Sequence, residues 1–168
     1  MVERWLAIVA AGLAGCVLLV LSADAAAPGT PGRDHAAETL MLGLVNEERT
    51  ARGLAPLTAD DDVAEVAWAW SETMARTAHL EHNPDHPDEI CCWALVAENV
   101  AFSEPRAYWL PGDPVERITR ELHEALMESP GHRENILDPG VDQVGIGVHV
   151  DRDGTVWITQ NFRRYASP

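Results

Sequence analysis

The chain has 168 residues, enough for one domain with a sizeable core. It carries 27 acidic residues against 12 basic ones, every one of them arginine, for a formal charge of -15. That balance argues against nucleic acid and anionic membrane surfaces as partners, because phosphate binding runs on clustered Lys and Arg and on the counterions they release.

Residues 1–27 have the layout of a secretory signal peptide: Arg4, an apolar run from Leu6 to Leu21, then the small residues of "SADAAA". Ala23-Asp24-Ala25 forms an A-x-A site that would start the mature chain near Ala26. Two alternatives stand beside cleavage. "LAGC" at 13–16 matches a lipoprotein signal with Cys16 acylated, although the apolar run continues past it. An uncleaved anchor is the other, although Leu6–Leu21 is shorter than the roughly 20 apolar residues a span needs. All three place the rest of the chain outside the cell, secreted or anchored and outward-facing. Membrane contact would then run only through the N-terminal segment. Residues 28–36 read as a Pro/Gly linker and 37–168 as the domain.

Asp34 can cap a first helix over 36–52, where Leu40, Leu44 and Val45 recur at helical spacing and Arg52-Gly53 supplies a stop. A second helix opens at aspartates 60–62, which suit the positive end of the helix dipole. It carries the stripe Val63, Val66, Ala67, Trp70, Met74 and ends near His79. Residues 80–96 break periodicity and read as a long loop, a kind of segment that is often functional. "AENVAF" at 97–102 reads as a short strand or a single turn. Asp113-Pro114-x-Glu116 combines a cap, a proline at the first helical position and a capping-box acid, and opens a third helix that Pro130-Gly131 ends. "VGIGVHV" and "TVWITQNF" then alternate as two strands around Asp153-Gly154. Three helices and a C-terminal hairpin give an α+β domain in which helices cover a small antiparallel sheet.

Beyond Cys16, the cysteines are Cys91 and Cys92, adjacent and too close for the geometry a disulfide prefers. Two half-buried thiols beside Trp93 are expected in preference to a vicinal disulfide, and a CxxC zinc pair is excluded by spacing. Trp68, Trp70, Trp93, Trp109 and Trp157 are expected in the core rather than along a lipid groove.

Several chemical motifs fail on inspection. "HEALM" at 123–127 lacks the second histidine of HExxH, and Pro84 separates His82 from His86. There is no G-x-S-x-G, phosphate loop or dinucleotide fingerprint. What remains are polar residues at element ends: His82, Glu98 within an apolar run, and His132 after the third helix. A carboxylate among apolar neighbours must pair or neutralise, and two imidazoles with one carboxylate are also a zinc-type ligand set.

"LVNEERTARGLAPLTADDDVAEVAWAWSETMA", "HNP", "AENVAF", "SPGHRENIL" and "GIGVHV…WITQNF", in this order, resemble the bacterial branch of the CAP superfamily, whose characteristic module is the SCP domain. The resemblance spans about 38–165 and implies a secreted α-β-α sandwich. It also implies a cleft with two histidines and two glutamates that binds divalent metal such as zinc in some members. Carried over by position, His82 is the first histidine, Glu98 the glutamate of a G-E-N motif whose glycine is here Ala97, and His132 the second histidine. The second acid is not matched: Ser129 stands there with Glu128 beside it, and one residue is about 100° around a helix.

The function expected is a secreted binding or interaction module with a His/Glu cleft able to hold a divalent metal, its ligand an extracellular lipid or protein. Two alternatives are a metal-dependent hydrolase of peptide or cell-wall material, with Glu98 or Glu128 as base, and a lipid or sterol binder. A third is a structural one, in which His82, Glu98 and His132 form a buried hydrogen-bond network. No residue is assigned a catalytic role.

Overall fold

The computed structural model describes residues 31–104 and 113–166. The expected export segment, the first residues of the linker and Trp109 lie outside them. The elements run β1 (Gly32–Arg33), α1 (His35–Ala51), β2 (Thr58–Ala59), α2 (Asp61–Thr77), α3 (His86–Glu89), β3 (Trp93–Ser103), α4 (Pro114–Glu128), α5 (Pro130–Ile136), β4 (Gln143–Val150) and β5 (Val156–Tyr165).

The helices start where short acidic side chains take up free amides. Asp34 accepts from the Ala37 N–H, Asp60 from Val63 and Asp113 from Val115 and Glu116. Gly53, at φ +74°, follows α1 in the left-handed region that glycine occupies without strain. At the end of α2 the non-glycine Ala78 takes that conformation, at φ 52°, and turns the chain into the loop that carries His82.

The sheet runs in the order β1-β4-β5-β3, with β2 added parallel to β4. β4 and β5 form the expected antiparallel hairpin, and β3 pairs with β5 as the outer strand. One face carries Val144, Ile146, Val148, Ile158 and Phe162 under α1, α4 and α5. The other is covered by α2, whose Met74 packs with Val100 and Trp157. These layers make an α/β/α sandwich.

Several expectations change. Residues 28–36 are not all linker, because Gly32 and Arg33 pair with Val150 and His149 and α1 begins at His35. "AENVAF" is the middle of an eleven-residue strand. Pro130-Gly131 does follow the end of α4, but Pro130 opens another helix, since a proline at the first helical position forgoes no internal hydrogen bond.

Cys91 and Cys92 are bonded to each other and exposed rather than free and half-buried. Cys92 sits at φ 61°. Of the tryptophans, Trp157 is a core residue, stacked on Phe102 at 4.8 Å between ring centroids. Trp68 and Trp70 are half-buried, and Trp93 is exposed at the sheet's end with its indole N–H on the Pro87 carbonyl. Trp70 packs beside Trp157 in the small apolar cluster under α2.

Candidate functional site at the outer edge of the sheet

Glu98 lies midway along β3 on the face covered by α2, and its side chain is only 1% exposed. Its Oε1 accepts from the Asn83 backbone N–H at 2.9 Å and pairs with Nδ1 of His82 at 2.8 Å. A carboxylate only accepts, so in the neutral ring the bond places the His82 proton on Nδ1 and leaves the lone pair on Nε2. The His82 ring is 61% exposed. The buried acid thus holds a histidine that faces solvent.

The loop bearing His82 is knotted around Asn83. Its Nδ2 donates to Glu89 at 2.8 Å, its Oδ1 accepts from the Asp85 N–H, and its carbonyl is contacted by Nδ1 of His86 at 3.0 Å. His86 therefore serves the loop, as its separation from His82 by Pro84 suggests.

His132 comes from the opposite face of the sandwich, on α5. Because β3 is the outer strand, residues from both faces can approach one another around its edge. Asn99, next to Glu98 but pointing the other way, donates to the His132 carbonyl and to Gln160 Oε1, each at 3.0 Å. Asn135 donates to Asn99 Oδ1 at 2.8 Å and to the Glu98 carbonyl at 3.2 Å. These two asparagines lock α5 to β3 and so fix His132. Neither asparagine carries a charge that marks it in "AENV" or "GHREN", and an amide in an otherwise packed segment is the only local signal of such a role.

The structure therefore brings His82 and Glu98 into direct contact and holds the His132 backbone against the same strand through Asn99. Glu128 is elsewhere. It lines a cavity of about 300 Å³ between α1 and α4 with Glu48, Arg52, His123 and Arg133. Ser129 is the shared residue between α4 and α5, with no side-chain capping bond at the start of α5. The larger cavity, of about 400 Å³ and lined by Arg33, Glu38, Asp60 and Glu65 among others, includes none of the candidate residues.

Among the described residues no group of three or more His, Cys, Asp and Glu side chains is arranged to hold a metal ion. As a closed three-ligand set, His82, Glu98 and His132 do not fit zinc, since Glu98 Oε1 is taken by His82 and Asn83 and Oε2 is buried away from solvent. Two imidazoles with a carboxylate behind one of them is a different arrangement, in which Glu98 would orient a ligand rather than be one.

Burial lowers the His132 pKa, and the His82 charge lowers it further. Burial also lowers that of His123, with Glu48 and Glu47 on α1 and Glu124 on α4 opposing it; neither ring nitrogen of His123 has a partner among the described residues. Both groups start from an ordinary value of 6.5. Below it the unfolded chain takes up protons that the folded one resists, so their contribution to stability is intact above about pH 6.5 and falls as the pH drops toward the folded values. Thermal melts between about pH 7.5 and 5 should show a loss of stability that is smaller in His123→Leu. An equal loss in the variant would assign the acid sensitivity to other groups.

An α/β/α sandwich with an acid-held histidine and a second histidine at the outer edge of its sheet defines the class of protein. The model of the cysteine-rich secretory protein family, CAP, matches residues 42–162, and the chain belongs to that family. The uncharacterised protein YkwD of Bacillus subtilis is 29% identical over 140 residues, which cover 79% of this chain and 49% of YkwD. The chain thus spans about half the length of that curated relative. An extracellular protein containing an SCP domain from Bacillus anthracis matches in structure with a TM-score of 0.58 and 26% identity, covering 77% of this chain and 40% of the other. An outer surface protein from Borrelia burgdorferi matches with a TM-score of 0.64 and 16% identity, covering 81% of this chain and 99% of its own. Among the described residues no helix is long and apolar enough to cross a membrane.

Proposed function

We propose that this chain is an exported binding module whose sheet edge presents His82 and His132 to an extracellular ligand and can take a divalent metal through them. The observation that carries the reading is the Glu98 carboxylate, nearly fully buried yet bonded to an exposed imidazole. Burying an acid is unfavourable, and its bonds to His82 and the Asn83 N–H offset that while fixing the ring. Zinc would be held by Nε2 of His82 and by the His132 ring, with solvent or a ligand completing the coordination; once bound, it would supply an electrophilic centre. NaASP2, a structure of the same fold solved with Zn2+, is 11% identical and has a TM-score of 0.59 over 82% of this chain and 88% of its own.

Binding is favoured over metal-dependent hydrolysis because neither acid is placed as a base for a metal-bound water: Glu98 Oε1 is committed to His82 and Asn83 with Oε2 buried, and Glu128 lines a separate cavity. Calorimetric titration with zinc at neutral pH should show one site. His132→Ala and His82→Ala should each abolish or greatly weaken it, and Glu98→Gln should weaken it by about 10-fold or more. Affinity retained in both histidine variants would place the metal elsewhere. No uptake by the parent chain would remove the metal from the proposal.

A further inference from the structure

Polar atoms without partners fall together beneath α2. Asn161 on β5 stands directly opposite Glu98 across the β3–β5 ladder. Directly opposed residues share a face of the sheet, with Cβ atoms about 5 Å apart. Asn161 is fully buried, and neither its amide nitrogen nor its oxygen has a partner; Oε2 of Glu98 has none either.

The neighbours of Asn161 do not serve it. Across the other ladder it faces Gly145, over which the α2 backbone lies at Val63 and Ala64. The next polar pair on this face is closed, since Ser71 Oγ bonds both Thr159 Oγ1 at 2.9 Å and the Gly147 carbonyl at 3.0 Å. A buried acceptor and a buried donor, opposed in register and otherwise unserved, are complementary. Leaving both unmet would be strongly unfavourable.

We propose that Asn161 is the positioning residue for Glu98: its carboxamide N–H serves Oε2 through one shared buried water, and so fixes the carboxylate with Oε1 toward His82. Oε2 and the two polar atoms of Asn161 would give such a water three partners, within the usual number. The inference rests on the reading of Glu98 as the holder of His82. It adds a residue that touches neither histidine but sets which nitrogen of His82 carries the proton.

The test uses the full-length chain with nitrogen-15 in its histidine rings, whose shifts report the His82 tautomer at neutral pH. Glu98→Ala should move His82 away from the Nδ1-protonated form. Asn161→Leu, close in volume, should move it part of the way in the same direction while the fold is retained. A change in Glu98→Ala with none in a folded Asn161→Leu overturns the role of Asn161 alone, whereas no change in either also overturns the reading of Glu98. An atomic-resolution crystal structure of the unmodified chain gives an answer that needs no variant. Oε2 in hydrogen-bond contact with a water that Asn161 also holds supports the proposal; Oε2 without that contact overturns it.

Discussion

Gly147→Ala is expected to destabilise the domain by about 3 kcal/mol or more, or to prevent folding. A Cβ at this position would stand 2.2 Å from the Trp68 nitrogen and 2.3 Å from the Ala67 carbonyl carbon. Both are backbone atoms of α2, so no side chain can rotate away, and the helix itself would have to lift from the sheet. Gly145, two residues earlier on the same face, meets Val63 and Ala64 at 2.2 and 2.3 Å. Lifting α2 would also open the face on which Glu98 and Asn161 lie. Gly43 is the control: it is exposed on α1 with nothing within 4 Å, and Gly43→Ala should stabilise by about 0.5–1 kcal/mol. Urea unfolding of the two variants should give shifts of opposite sign. A near-neutral Gly147→Ala would mean that α2 does not seat on the sheet as described.

Arg49→Ala should cost about 3–5 kcal/mol, a loss comparable to removing one partner of a buried charge network. Arg49 is on α1 and only 1% exposed. Its Nε donates to the Ala55 carbonyl at 2.9 Å, and its Nη1 to those of Ile136 and Asp138 at 2.8 and 2.9 Å. One guanidinium therefore ties the end of α1 to the end of α5, the helix that carries His132. Arg49→Lys should also destabilise, because a single ammonium cannot reproduce the planar fork. Denaturant melts would measure both. Loss of zinc uptake in Arg49→Lys under conditions where the chain stays folded would show that the tie also positions His132.

The α+β class, the C-terminal hairpin and the three long helices were legible because each rests on local rules, such as an aspartate before an apolar stripe or a two-strand alternation around Asp153-Gly154. Contacts that join distant segments were not. Arg49 in "NEERTARG" looks like any solvent-facing helix charge, since nothing local reveals the three carbonyls that gather around it. "VGIGVHV" reads as a strand, but that its glycines admit a helix backbone depends on what packs above. Pro130-Gly131 reads as a stop, and only the structure shows that the same proline starts α5. His82, Glu98 and His132 were found as polar residues at element ends, and their mutual positions came from resemblance rather than spacing. The structure divides their roles: Glu98 holds His82, His132 approaches from the other face, and Glu128 lies apart.

The bond between Cys91 and Cys92 has a consequence for how this domain withstands changing surroundings. It joins residues already neighbours in the chain, so it removes almost none of the loop entropy by which a crosslink usually favours the folded state. It also leaves the two sulfurs spent on each other. The adjoining carbonyls are held without it, Cys91 by Nη1 of Arg163 and Cys92 by the N–H of Ala166. Among the described residues, cohesion therefore resides in packing and hydrogen bonds, and reducing this bond should leave the fold nearly as stable as before.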